Sequence, residues 1–383
     1  MSIAGVMIRR ERLARGWSQE GLCRGICGAS YLSKIEQDKA EASEEILALL
    51  LARLGLSWTQ DPDGALREQT EACMEALLAC DKRAFAERFE RLRGQEAHLL
   101  CSPCAADYLL LRAFAGGADG ETHPLDAEFV SLLDQRQMAL QRALEGRYEE
   151  AVLLYPAPAL RLWQGTRFYR SGSYAAAIEV LQAACDAAAG EGLVYVMLNS
   201  RLYLGNCYSD LGDFERMQRH YTVALRLAAA LGDDDAQATV YYNTAATQIE
   251  RGSFADAYAY LSTLKEPNAI TLHKLAVCCE ALGKREEAYA ALDRADALLS
   301  GKADSVPERQ MLALVRCRLE QPDYLHDEHY GALLMDCFAR LRSERGAGYA
   351  RFHLPWMLAW YKANRQYRQA CLLLENFPEI EQK

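Results

Sequence analysis

The sequence predicts an all-α protein in two parts, a short block of compact helices at the front and a long stack of helix pairs behind it. Three observations carry this. Five turns between residues 145 and 288 share one pattern: a glycine, usually an aromatic ring two residues on, and usually a small residue five residues on. The 383 residues are 51% hydrophobic and 25% charged with only 10 prolines, which suits folded helices and excludes a disordered or collagen-like chain. A chain of that length also exceeds what one hydrophobic core organises, so it must divide or grow by repetition.

Composition removes several function classes. An apolar run such as Ile46–Leu51 falls far short of the roughly 20 residues that span a bilayer. Met1–Ile8 lacks the basic start and long apolar core of a secretory signal, so a cytoplasmic protein is expected. The 13 cysteines, odd in number and scattered, suit buried thiols better than a disulfide framework. Cys101-Ser-Pro-Cys104 has the spacing of half a zinc site or a redox pair, but no second CxxC accompanies it, and structural thiols are expected. The net charge of -10 is uneven: residues 1–60 hold 8 Lys and Arg against 7 Asp and Glu, the remaining 323 hold 35 against 46. Any nucleic acid is therefore met at the front.

The front, residues 1–60, reads as short helices with tight connections. Ile8–Ala14 is helical in composition and Gly16 stops it. Ser18-Gln19-Glu20 restarts a helix, the serine hydroxyl capping exposed amides and the acid sitting near the positive end of the helix dipole. Gly25-Ile26-Cys27-Gly28 supplies a turn, and Ala29–Gln37 forms a third helix whose inward pair is Leu32 and Ile35. Its other face carries Ser30, Ser33, Lys34 and Gln37 at i, i+3, i+4 and i+7, with Tyr31 at the flank. Such a stripe can enter a major groove, where hydroxyls and amides reach base edges and lysine reaches guanine or phosphate. It can equally be a solvated face.

Residues 8–58, above all Trp17–Cys23 followed by Ser30–Glu36, resemble the helix-turn-helix of the phage-repressor (Cro/C1, or XRE) class, a five-helix DNA-binding domain. Gly25-Ile26-Cys27 is similar to the subgroup found in peptide-pheromone-responsive regulators, the RRNPP group with its Rgg and PlcR types. The resemblance implies that Gln19 anchors on a phosphate and that Ser30, Tyr31, Ser33 and Lys34 face the bases. It also implies that Arg12 and Glu36 pair inside the domain, leaving Arg9, Arg10 and Arg15 as salt-dependent phosphate contacts. Gly21 and Cys23 depart from the pattern; the glycine weakens the second helix by up to about 1 kcal/mol.

Asp61-Pro62-Asp63-Gly64 breaks the helical pattern and reads as a linker over 61–65. Behind it, over 66–383, the repeated turns sit at Gly146, Gly172, Gly212, Gly252 and Gly283, spaced by 26, 40, 40 and 31 residues, with Asn364–Ala370 as a final degenerate turn. The glycine permits a left-handed cap, the ring plugs the groove between paired helices, and the small residue lets them approach. Leu204–Phe214, continued by Tyr221 and Ala224, resembles a tetratricopeptide repeat, and the variable spacing is similar to the sensor domains of the pheromone-responsive group. The resemblance implies a right-handed TPR-like α-solenoid, with Glu308–Leu319, Glu328–Arg342 and Leu354–Ala363 as capping or dimerising helices.

The first helix of each pair lines the inner side of such a stack. Asn199 and Asn206 lie seven residues apart with Leu202 and Tyr203 between them, and the next repeat offers Tyr242 and Asn243. Asparagine can satisfy one donor and one acceptor of an extended peptide backbone. The same residues can instead bond neighbouring helices. Tyr169 and Arg170 could meet a ligand carboxylate or be solvated, while His273 is expected in the core. Enzyme motifs are missing: no phosphate loop, no HExxH, no paired metal-ligand spacing, and histidines dispersed at 98, 123, 220, 273, 326, 329 and 353. No cofactor or metal is expected. The expectation is a DNA-binding transcription regulator, acting as a homodimer on an operator and modulated by a short peptide. The alternative is a DNA-tethered scaffold that recruits a protein partner without a small ligand.

Overall fold

The computed structural model describes residues 3–37, 39–116, 127–301, 305–345 and 347–375. His123 and the first two residues of Met1–Ile8 lie outside them. Every regular element among the described residues is helical, and the chain divides into two compact units, Met1–Cys207 and Tyr208–Lys383.

The first unit opens with α1 (Ile3–Ala14), α2 (Gln19–Cys23), α3 (Ala29–Glu36) and α4 (Glu44–Arg53). Ser18 caps α2 by accepting from the Gly21 N–H at 3.0 Å, and Ser43 caps α4 through the Ile46 N–H. Ile8, Leu22, Leu32, Ile35, Leu50, Leu51 and Leu54 are all at most 1% exposed and form one core. Each contributes roughly 1.5–3 kcal/mol of hydrophobic stabilisation. The expected five-helix front has four helices within residues 3–60. After Gly55 the chain runs without a helix, and the Asp61 carboxylate accepts from the Leu66 and Arg67 N–H groups at 3.0 and 2.9 Å. This starts the next helix as part of a different core, so a fifth helix belongs to the repeat.

That repeat begins with α5 (Ala65–Leu78) and α6 (Lys82–Arg93), followed by α7 (Glu96–Leu100), α8 (Ala105–Gly116) and α9 (Ala127–Val130). The helix pairs then follow: α10 (Gln135–Leu144) with α11 (Tyr148–Leu154), α12 (Pro158–Arg170) with α13 (Tyr174–Glu191), and α14 (Val194–Asp210), which crosses the division. Gly165 is where α12 meets α13; a Cβ there would fall 2.6 Å from Leu181 Cγ. The front is seated on the repeat: Val6 and Met7 of α1 pack against Cys101, Leu109 and Phe129, and the Thr59 N–H donates to the Cys101 carbonyl at 2.8 Å.

The second unit continues with α15 (Phe214–Leu231), α16 (Asp234–Glu250) paired with α17 (Phe254–Leu261), and α18 (Ala269–Ala281) paired with α19 (Arg285–Leu299). It closes with α20 (Val306–Glu320), α21 (Glu328–Arg340), a π-helical turn at Leu341–Arg345, α22 (Ala347–Phe352), α23 (Leu354–Ala363) and α24 (Tyr367–Glu375). All five pattern glycines adopt left-handed φ, between 71° and 78°, directly after a first helix. The residues five positions on, Ala151, Ala177, Met217, Ala257 and Ala288, are at most 1% exposed, which is the close approach the pattern requires. Two further turns use non-glycine residues in the same conformation, Cys80 between α5 and α6 and Arg365 between α23 and α24, both at φ 57°. No helix of the described residues is long and apolar enough to cross a membrane.

Candidate functional site

The front presents α3 as a surface ridge. Leu32, Ile35 and Glu36 are buried, and Ser30, Lys34 and Gln37 on the opposite side are exposed. Ser33 and Tyr31 are half-buried. Two hydrogen bonds order the stripe: Gln37 Nε2 donates to Ser33 Oγ at 3.2 Å, and Lys39 Nζ donates to Gln37 Oε1 at 2.8 Å. The Tyr31 hydroxyl donates to the Glu41 carbonyl at 2.9 Å and so fastens α3 to the loop before α4.

Beneath the ridge lies an ion pair that fixes its tilt. The Arg12 guanidinium reaches both oxygens of Glu36 at 2.7 and 2.8 Å and the Trp17 carbonyl at 2.8 Å. Arg12 is 8% and Glu36 2% exposed, and the bond to Glu36 holds the Arg12 pKa above its ordinary value. Gln19 Nε2 donates to the same carboxylate at 2.8 Å, so α1, α2 and α3 share one saturated network.

The other basic residues of the front are placed differently. The Arg10 guanidinium lies 5.6 Å from the Phe129 ring and pairs with Glu11 at 3.4 Å. Arg15 donates to the Leu54 carbonyl at 2.7 Å and pairs with Glu11 at 2.6 Å, so both have partners within the fold. Arg9 is half-buried.

In the first unit the repeat brings Tyr169 and Tyr203 edge to face at 5.6 Å, with Tyr174 6.0 Å from Tyr169 and Arg170 exposed at the end of α12. Asn199 and Asn206 are half-buried on α14, and Asn199 Nδ2 donates to the Tyr195 carbonyl of its own helix at 2.8 Å. Tyr242 and Asn243 are half-buried on α16 of the second unit. Cys101 and Cys104 are not joined in a disulfide, and burial pushes both thiols above the ordinary range, away from thiolate chemistry.

The second unit contains a basic cluster that the sequence did not reveal. His273 is 1% exposed, as its expected core placement requires, but both ring nitrogens lack a hydrogen-bond partner. Beside it, Lys274 is 4% exposed, with Nζ 2.6 Å from the centroid of the Phe352 ring. His353 lies 5.7 Å from His273, and Arg318, paired with Glu280 at 3.0 Å, covers the Trp356 ring at 4.2 Å. Burial pulls His273 and Lys274 well below their usual ranges, and the neighbouring charges of Lys274, His353 and Arg318 add to the effect on His273. No signal in the sequence ties α18 to residues eighty positions later.

Residues 8–60 match a family model described as helix-turn-helix. This part of the chain is a helix-turn-helix domain. The match is not to an enzyme family. No curated protein matches the chain. Among solved structures, the fold is similar to the apo form of the quorum sensor NprR from B. thuringiensis, with a TM-score of 0.60 at 16% identity over 84% of this chain and 99% of that one. NprR in complex with its cognate peptide NprX aligns at a TM-score of 0.47 and 16% identity, over 76% of this chain and 97% of that one. A Rap protein complexed with Competence and Sporulation Factor gives 0.53 at 16% identity, covering 99% of both chains. At such identities the likeness is one of fold. The expected architecture, a helix-turn-helix domain on a helical repeat, is the one found. Within the helix-turn-helix domain, a Cβ at Gly21 would sit 3.3 Å from the capping Ser18 Oγ, a tight contact.

Proposed function

We propose that this chain is a sequence-specific DNA-binding transcription regulator whose TPR-like repeat binds a short signalling peptide and thereby modulates DNA binding. The observation that carries the reading is the ridge of α3, whose polar stripe of Ser30, Ser33, Lys34 and Gln37 stands on a helix locked from behind by Arg12 and Glu36. Short hydroxyls, an amide and one cation on a rigid helix suit base edges in a major groove. Tyr31 flanks the stripe, Gln19 at the start of α2 is assigned a phosphate contact that its donation to Glu36 must leave room for, and Arg9, Arg10 and Arg15 add sequence-blind affinity.

In this reading residues 1–60 contact DNA, 61–65 connect, and 66–383 sense and dimerise. A homodimer is needed because one ridge makes too few contacts, and two ridges then meet half-sites about one helical turn apart. Peptide binding is supported by the fold shared with a quorum sensor. The groups assigned to it are Tyr169, Arg170, Asn199, Tyr203 and Asn206 in the first unit and Tyr242 and Asn243 in the second. The contact of Val6 and Met7 with Leu109 and Phe129 supports coupling, because a shift in α8 or α9 reaches α1 directly. The protein acts in the cytoplasm, where its operator is.

A gel-shift on the region upstream of the gene, with and without candidate peptides, tests this. Lys34→Ala is expected to weaken DNA binding itself, and Asn206→Ala to spare basal binding while abolishing the peptide response. If no peptide shifts the DNA equilibrium, the repeat is a recruiting scaffold.

A further inference from the structure

Helix α18 is the first helix of its pair, and such a helix ordinarily leaves one side open. Here Thr271, Leu272, His273, Lys274, Ala276, Val277, Cys278 and Cys279 are all buried, because α17, α19 and α20 pack around the helix and Phe352, His353 and Trp356 cover His273 and Lys274. The covering segment is anchored at both ends. Arg351 meets Asp210 at 3.7 Å, Phe352 roofs Lys274, and Trp356 lies under the Arg318 guanidinium.

The polar groups beneath this roof are not all satisfied. Facing one another are His273, Lys274 and Glu280 on α18, Arg318 on α20 and His353 before α23, with Glu250 of α16 near enough to favour the charged form of Lys274. Arg318 engages one oxygen of Glu280 and leaves the other without a hydrogen bond. Among the described residues Lys274 has neither an ion pair nor a hydrogen bond; its Nζ meets only a ring. A buried amine without a hydrogen bond costs stability, and a buried imidazole with two idle nitrogens adds to that cost. Sites that bind charge are where such costs are retained.

We propose that His273 and Lys274, roofed by Phe352, form a subsite for a carboxylate on the ligand of the second unit. The carboxylate moves the Phe352 ring off Lys274 Nζ, pairs with the ammonium, and accepts a hydrogen bond from a ring nitrogen of His273. A peptide terminus or acidic side chain and a small free acid share this chemistry. The first of these rests on the peptide-binding reading above; the second does not.

The test is a melting series on the full chain at constant ionic strength with three probes: glutarate, a pool of random hexapeptides with free C-termini, and the same pool amidated. The subsite requires that glutarate or the free-acid pool raise the wild-type midpoint saturably, and that Lys274→Met abolish the rise while melting higher than wild type without ligand. Phe352→Ala, which removes the roof without touching either ligand group, is expected to lower the half-saturating concentration about tenfold. A response to glutarate alone supports the subsite and fails the peptide reading. A response to both pools that survives Lys274→Met supports peptide binding and overturns the subsite. No response to any probe, or equal glutarate responses in wild type and Lys274→Met, also overturns it.

Discussion

Two buried basic side chains in this chain are treated in opposite ways. Arg12, in the first unit, spends its donors on both oxygens of Glu36 and on the Trp17 carbonyl. Lys274, in the second, is as deeply buried and faces a phenyl ring. A guanidinium matched to a carboxylate by a flat two-pronged contact is a structural device, and here it sets the tilt of α3. A lysine nitrogen that meets only a phenyl ring makes no such bracket, and it lies in the subsite proposed above for a carboxylate.

The largest expected effect breaks the first half of this comparison. Glu36→Ala strands Arg12 in the core and should cost about 3–5 kcal/mol, seen as early denaturant unfolding of the front together with lost DNA binding. Lys274→Met should have the opposite sign, raising the melting midpoint of the unliganded chain by about 3 °C or more, since a methionine of similar volume carries no desolvation cost. If the midpoint falls instead, Lys274 has a partner in the fold and the contrast is lost. On the surface, Lys34→Ala should weaken operator binding by roughly 1–3 kcal/mol in a salt titration, whereas Arg10→Ala should do less, because Arg10 already sits over Phe129 and beside Glu11.

The smallest effect concerns pH. His273 is held neutral, well below its ordinary 6.5, by burial first and then by Lys274, His353 and Arg318. The unfolded chain takes up that proton near 6.5 and the folded chain does not. The contribution of His273 to stability is therefore complete above about 6.5 and is lost as the pH falls below it. Thermal midpoints followed from pH 7 to pH 5 should decline in the wild type and decline less steeply in His273→Gln.

Much of the architecture could be read in advance because it is written locally. A left-handed glycine, a ring and a small residue each act within one hairpin, and all five turns with glycine at that position were legible. The turns at Cys80 and Arg365 were obscured because a side chain occupies the left-handed conformation there; Asn364–Ala370 still stood out by its place in the series, and α5–α6 did not. The ridge of α3 was legible for the same local reason, since helical spacing alone separates Leu32 and Ile35 from Ser30, Ser33, Lys34 and Gln37. Gly165 and its contact with Leu181 carried no such signal.

By itself the sequence determined the helices, the turns that pair them and the polar face of the reading helix, because these depend on residues within a turn or two of one another. Only the tertiary structure decided that the front is seated on α8 and α9, that Arg10 and Arg15 have partners within the fold, and that α22 roofs Lys274. Those outcomes depend on which distant segments meet, and Lys274 is covered only because Phe352, nearly eighty positions on in the sequence, packs over it.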